Sequence, residues 1–307
     1  MTARSLLAIA AVLLSAAPAR TCPCSDEAGS AGGLVREDER YALSVTATGR
    51  RAHGRFDAFG HYASLRGREG ELGEELLLRA GLRLPRRWEW LGELGYAAYR
   101  FHAPGFAERP NGIGDGLLRL RYSIFDEGMP HETFPAPSLL LSALLRAPLG
   151  VAAEGPSSSF GSGGAPRGLG AWELGGGVEL KRSLVAKLEL WLGGEAAYRF
   201  ADHALGTARR LGPRLEAALG ARASPVGWLA SSLALRLRTV GDVELAGRPL
   251  AGTSERLCSV VLGVAFYDRG SRVRSAVTLS VDPPLGALSR GSTAAASLGV
   301  SLGAGLR

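Results

Sequence analysis

The side chains of this chain that are able to do chemistry are ionic, and they recur at every second position. Between residues 171 and 200, Glu173, Glu179 and Lys181 lie on one row, and after a short break Lys187, Glu189, Glu195 and Arg199 continue it. The same spacing returns as Arg79 and Arg83, as Asp115, Arg119 and Arg121, as Arg146, as Glu216 and Arg222, as Arg236 and Arg238, and as Arg272 and Arg274. Residues two apart share one face of a strand. The chemistry such a face supports is electrostatic: charges of both signs pair with one another, and the surplus of Arg biases a water-filled path toward anionic or polar solutes.

Covalent chemistry has much weaker support. Asp202-His203, together with His102, is the best candidate for activating a water, but no Gly-x-Ser-x-Gly elbow, His-Glu-x-x-His helix or phosphate-cradling Gly-Lys-Ser/Thr loop accompanies it. The expectation is a protein without catalytic activity or cofactor. Cys22 and Cys24 stand one residue apart beside Asp26 and Glu27. Thiolates select soft ions such as Cu(I) or Zn, yet no local His completes a ligand set, so these two are weak metal candidates. Cys258 shares a strand row with Val260, Leu262, Val264 and Phe266, which suits a small apolar filler.

The elements that position the ionic rows are strands. In 171–181, Trp172, Leu174, Gly176, Val178 and Leu180 oppose Glu173, Gly175, Gly177, Glu179 and Lys181. After Arg182 to Val185, the row Ala186, Leu188, Leu190, Leu192, Gly194, Ala196, Tyr198 and Phe200 opposes Lys187, Glu189, Trp191, Gly193, Glu195, Ala197 and Arg199. Unbroken alternation over about 10 residues is the length a tilted strand needs to cross a bilayer, and an apolar face opposite a charged one is the pattern of a transmembrane barrel. The competing reading is an amphipathic hairpin from a soluble sandwich or lipocalin-like barrel.

Similar segments are predicted at 41–63, 75–84, 89–101, 113–125, 138–148, 213–223, 228–239, 256–267, 272–282 and 294–306. Trp88, Trp90, Tyr96 and Tyr99 mark an interfacial aromatic belt. Breaks after 84, 181, 223 and 267 are short. Those at 64–74, 102–112, 149–170, 201–212, 240–255 and 283–293 are long, which matches short periplasmic turns and long extracellular loops. The break at 126–137 must join the short side to keep the alternation. If 41–63 is one strand bent around Gly49 to Gly54, the count is even, as bacterial single-chain barrels require, and the prediction is an all-β, closed antiparallel up-and-down barrel of 12 strands.

Bulk properties agree. Among 307 residues are 43 Gly and only 2 Met, with 46% hydrophobic residues, and no apolar run beyond the N-terminus is long enough for a helical span. The net charge of +7 comes from Lys and Arg scattered singly rather than clustered with aromatics, which argues against nucleic acid as a partner. Residues 1–19 have Arg4, an apolar core Leu6 to Leu14 and an Ala-x-Ala ending, the form of a cleaved signal peptide. Residues 20–40 then read as a flexible periplasmic lead-in carrying Cys-Pro-Cys, and 41–307 as a single barrel domain.

The stretch Asn111 to Glu127, NGIGDGLLRLRYSIFDE, followed by PSLLLSALLRAPLG at 137–150 and GLGAWELGGGVELKRS at 168–183, resembles the phenol meta-pathway outer-membrane protein family. Gly112, Gly114 and Asp115 match its Gly-x-Gly-Asp strand, and Pro148, Leu149 and Gly150 match its Pro-Thr-Gly-like corner loosely. The resemblance implies an outer-membrane, transporter-like barrel for small, including aromatic, solutes. Together with the charged rows, it leads to the expectation of passive passage of small polar, anionic or aromatic solutes across a lipid bilayer. The segment Gly155 to Gly170 is long enough to fold into the mouth. The alternative is a barrel without conduction whose Cys-Pro-Cys lead-in engages a periplasmic protein or a metal.

Overall fold

The computed structural model describes residues 39–65, 70–84, 87–103, 106–108, 111–125, 137–150, 170–185, 188–204, 207–267 and 273–306. The expected signal peptide, the lead-in through residue 38 with Cys22 and Cys24, residues 155–169 of the segment expected to fold into the mouth, Lys187 and Arg272 lie outside these residues, as do the side chains of Tyr99 and His102.

Twelve long strands form the wall: β1 (Tyr41–Phe56), β2 (Gly70–Leu84), β3 (Trp88–Ala103), β4 (Gly116–Phe125), β5 (Ser138–Ala147), β6 (Glu173–Val185), β7 (Leu188–Arg199), β8 (Arg214–Val226), β9 (Leu229–Val240), β10 (Glu255–Tyr267), β11 (Val273–Val281) and β12 (Thr293–Leu306). Each pairs antiparallel with its neighbours in sequence, and β12 returns to β1 through a register running from Tyr41↔Leu306 to Arg55↔Thr293. Closure satisfies the backbone donors and acceptors that an open edge would leave bare in lipid.

The period-2 pattern decides which side chain meets which medium. Leu43, Leu76, Leu78, Leu174, Leu192, Leu215, Leu233, Leu262, Leu298 and Leu302 all point outward and are exposed, as a lipid-facing surface demands. Two aromatic groups border this band. At the end where Tyr41 and Leu306 pair, Tyr41, Trp88, Trp90 and Phe266 are exposed, with the Trp88 ring tilted against Tyr122 at 4.6 Å. At the opposite, loop end stand Trp172, Tyr198 and Phe200, the last two in an edge-to-face contact. Amphipathic rings settle at both interfaces of a membrane in this manner.

Several boundaries differ from those expected. β1 stops at Phe56 rather than running to 63: an irregularity between Ala52 and Gly54 bends it, and the short strand Tyr62–Ser64 folds back on it. The Tyr62 ring then lies where a side chain at Gly54 would be. β6 runs through to Val185, so the break in that hairpin is shorter than Arg182 to Val185. Two stretches read as irregular, 201–212 and 240–255, carry a separate four-stranded sheet made of Asp202–Ala204, Thr207–Arg210, Glu244–Leu245 and Arg248–Pro249. It is fastened by ion pairs from Arg209 to Asp202 and from Arg210 to Glu244.

Candidate functional site

The inner faces of β4 to β9 hold a charged network. Its centre is Glu173, at the loop end of β6, which is 0% exposed. Arg199 on β7 donates to it at 2.8 Å, Arg214 on β8 at 3.0 Å, and Arg146 on β5 stands 3.5 Å away. Arg214 also pairs with Glu195 and, at 3.0 Å, with Glu216. Arg119 on β4 reaches Glu195 at 2.7 Å. A carboxylate with no access to water is tolerated when cations surround it, and here three guanidinium groups do so.

A second cluster lies nearer the terminal end. Arg121 on β4 donates to Glu89 on β3 at 3.0 Å and stands 3.9 Å from Glu179 on β6, while Lys181 lies 3.1 Å from Glu179. Arg79 on β2 pairs with Glu93 on β3 at 2.7 Å. Arg222 on β8 donates to the Tyr267 hydroxyl on β10 at 2.7 Å. At the terminal mouth Arg274 on β11 pairs with Glu39 at 2.8 Å, and the Glu39 carboxylate fills the space a side chain at Gly305 would need.

The strand faces therefore turn Arg79, Arg83, Arg119, Arg121, Arg146, Glu173, Glu179, Lys181, Glu189, Glu195, Arg199, Glu216, Arg222, Arg236, Arg238 and Arg274 inward, and Asp115, just before β4, is buried. Sequence reasoning passed over further inward charges, among them Glu75, Glu89, Glu93, Arg214 and, in the row of Thr46 and Thr48 on β1, Arg50. Glu89 and Glu93 lie six and two residues before Gly95 in a row whose other face carries Trp88, Trp90 and Tyr96, and those aromatics masked the alternation. Arg214 begins the row that continues with Glu216 and Arg222. Glu75 falls in the row of Arg79. Three of these five are acidic, so the interior is slightly better balanced than the Arg-rich set read from the sequence. Excess positive charge is correspondingly smaller.

The interior also contains a dry patch. Trp191 on β7, 3% exposed, packs with Ala218 on β8, Ala234 on β9 and Val261 on β10. Its indole lies across Gly220, where any Cβ would meet ring atoms 2.5 Å away.

Of the residues considered for catalysis, the His102 side chain lies outside the described residues. Asp202 is taken up by Arg209, and His203, the next residue along the same short strand, is exposed. Among the described residues no group of His, Cys, Asp and Glu is arranged to hold a metal. Cys258 is buried on the outer side of β10, where its N–H donates to the Ser289 hydroxyl at 3.2 Å. The Gly286–Leu288 turn preceding Ser289 lies between β11 and β12.

No family model matches the chain, and no curated protein sequence matches it. Solved structures do. The crystal structure of an outer membrane channel from Pseudomonas putida F1 superposes with a TM-score of 0.71 at 13% identity, covering 88% of this chain and 97% of that one. The NanC porin follows with a TM-score of 0.49 at 10% identity, over 86% of this chain and 100% of that one. The translocator domain of the autotransporter NalP from Neisseria meningitidis gives 0.45 at 12%, over 98% of this chain and 93% of that one. The closed 12-strand wall, its apolar outer band and its double aromatic border define a porin-like β-barrel. The protein is a β-barrel of the bacterial outer membrane.

Proposed function

We propose that this barrel is a passive channel for small polar, anionic or aromatic solutes, of the kind implied by its resemblance to the phenol meta-pathway outer-membrane proteins. One observation carries the reading: a continuous apolar exterior encloses an interior lined by polar and ionised side chains, the arrangement that lets water and solutes share a lumen. The likeness to the Pseudomonas putida channel supports it at the level of fold, and a fold by itself does not dictate function. Single-channel recording of the purified protein in planar bilayers tests it. Stepwise currents are expected, with a modest preference for anions; a protein that inserts without conducting rejects the proposal.

A second reading is favoured by the same ion pairs. Most inward charges are matched by a neighbour, and a network that merely fills the interior gives a structural or partner-binding barrel, with Cys22 and Cys24 in the lead-in engaging a periplasmic protein or a metal. The absence of conductance together with retention of a periplasmic protein on the immobilised barrel, lost in a C22S/C24S variant, is the outcome this reading expects.

A further inference from the structure

The outward face of β1, β2 and β3 is apolar row by row until it nears the loop end, and there its character changes. Tyr41, Leu82 and Trp90 pair across the three strands as one outward row, Val45, Leu78 and Leu94 as another, and Ala47, Leu76 and Tyr96 as a third. Two rows further on stand Arg51, Leu72 and Arg100, with Glu74 in the row between, flanked by Gly49 and Ala98. Arg51, Glu74 and Arg100 are exposed, and among the described residues none of the three enters an ion pair.

Height decides what these guanidinium groups meet. Arg51 lies ten residues along β1 from Tyr41, and Arg100 lies ten along β3 from Trp90. Ten residues span about 33 Å of strand. At a tilt of roughly 40° that is about 25 Å of height, the thickness of the apolar band on such barrels. Tyr41 and Trp90 belong to the aromatic border at one face of the bilayer, so Arg51 and Arg100 stand at the other, level with the lipid headgroups. This is the end of the long loops, which faces the cell exterior in an outer-membrane barrel. On β6 and β7 the border at that end is aromatic, with Trp172, Tyr198 and Phe200 exposed. On β1 and β3 it is cationic.

One strand lies between Arg51 and Arg100, which sets their backbones about 10 Å apart. Arginine presents a planar fork of donors that matches phosphate oxygens, and two such side chains at this spacing are able to converge on one phosphorylated headgroup. Asn111, exposed and paired in register with Ala98, adds an uncharged amide beside Arg100. We propose that the outward face of β1 to β3 docks the phosphorylated glycolipid of the outer leaflet: Arg51 and Arg100 bind its phosphates, and the apolar rows beneath them lie along its acyl chains. Glu74 sits diagonal to both arginines and repels the same phosphates, so it weakens the binding. The surface faces lipid rather than the lumen and does not depend on whether the barrel conducts.

The test titrates the full-length protein in detergent micelles with diphosphoryl lipid A and follows the bound lipid by native mass spectrometry. Heat-modifiable gel mobility first confirms that each variant is a folded barrel. The wild-type protein is expected to hold diphosphoryl lipid A at least about tenfold more tightly than its dephosphorylated form. Arg51→Gln with Arg100→Gln lowers that affinity by about tenfold or more. Arg40→Gln with Arg182→Gln removes the same charge from exposed positions at the opposite face and leaves it within about twofold. Glu74→Gln raises it by about twofold or more. Equal losses in the two arginine pairs, or no preference for the phosphorylated lipid, reduce the binding to diffuse attraction and overturn the proposal. Inorganic phosphate is compared with chloride at matched ionic strength: displacement of the lipid by phosphate alone assigns the arginines to a soluble anion and overturns it as well. Should the arginine variants not fold, Glu74→Gln decides, since a fall in affinity there rejects the site.

Discussion

The pole formed by β4 to β9 and the pole formed by β11, β12 and β1 enclose the same interior, yet different forces hold them. On the first, the backbone ladder is overlaid by side-chain ion pairs that skip between strands, as Arg214 does from β8 to Glu173 on β6 and Glu195 on β7. On the second, side-chain links sit mainly at the two ends, where Asp282 accepts from the Ser259 hydroxyl and the Ala295 N–H and Arg274 pairs with Glu39; between them Ser44 faces Gly303 and Thr46 faces Ser301 across the closing seam, and side chains that short make few contacts with each other. One pole is cross-braced, the other is held by its hydrogen-bonded backbone and the surrounding lipid. The difference teaches that alternation alone is enough to build a wall, while the choice of inward residue decides how stiff it is and how much room it leaves.

The sharpest way to break this comparison is to remove Glu173. Glu173→Ala takes the shared carboxylate from Arg146 and Arg199 and leaves Arg214 only Glu195 and Glu216, and loss of one partner from a buried ionic cluster costs about 3–5 kcal/mol. Urea titration of the barrel refolded in lipid vesicles measures it. A loss no larger than that of a hydroxyl-face substitution such as Thr46→Val means the braces are ornamental and the two poles are equivalent in stability.

Much of this was legible in the sequence. The strict two-residue period showed the faces of most long strands, and the even strand count of bacterial barrels settled whether 41–63 is one strand or two, a choice the pattern of breaks left open. Asp115, Arg119 and Arg121 were visible as inward residues because Leu118, Leu120 and Tyr122 alternate with them without interruption. Three things were not legible. Glu89 and Glu93 hid behind an aromatic row that reads as an interface marker. Ion pairing across strands depends on register, and no local pattern states that Arg214 will reach β6 and β7. The loop sheet joining 202–210 to 244–249 unites segments more than thirty residues apart, in runs of two to four residues, too short for any period to show.

Trp191 separates bulk from charge on the braced pole. Trp191→Ala empties a packed site against Ala218, Ala234 and Val261 and is expected to cost about 3 kcal/mol by the same urea titration, the usual range for deleting a buried aromatic ring. It also clears space on the β7 side, so unitary conductance should rise. A drop in stability with unchanged current would place the ring outside the lumen's narrow section. The Arg79–Glu93 pair, partly open to solvent at 28% and 20%, calls for a smaller number. A double-mutant cycle with Arg79→Met and Glu93→Gln should give a coupling below about 1 kcal/mol. A value as large as that around Glu173 would extend the bracing to β2 and β3, and the bare seam would shrink accordingly.

The smallest effect is the most discriminating, because its sign is opposite. Ser44 is enclosed and its hydroxyl is unpartnered among the described residues, so the native state carries the desolvation cost of a polar group without a hydrogen bond in return. Ser44→Ala removes that cost along with one oxygen, and its methyl fits the space the Ser Cβ already occupies. The expected result is a gain in stability of up to about 1 kcal/mol, read as a higher urea midpoint with an unchanged slope. Every substitution on the braced pole is expected to lower that midpoint. A loss of about 1 kcal/mol or more in Ser44→Ala would show that its hydroxyl has a partner and that the seam is held by side chains after all.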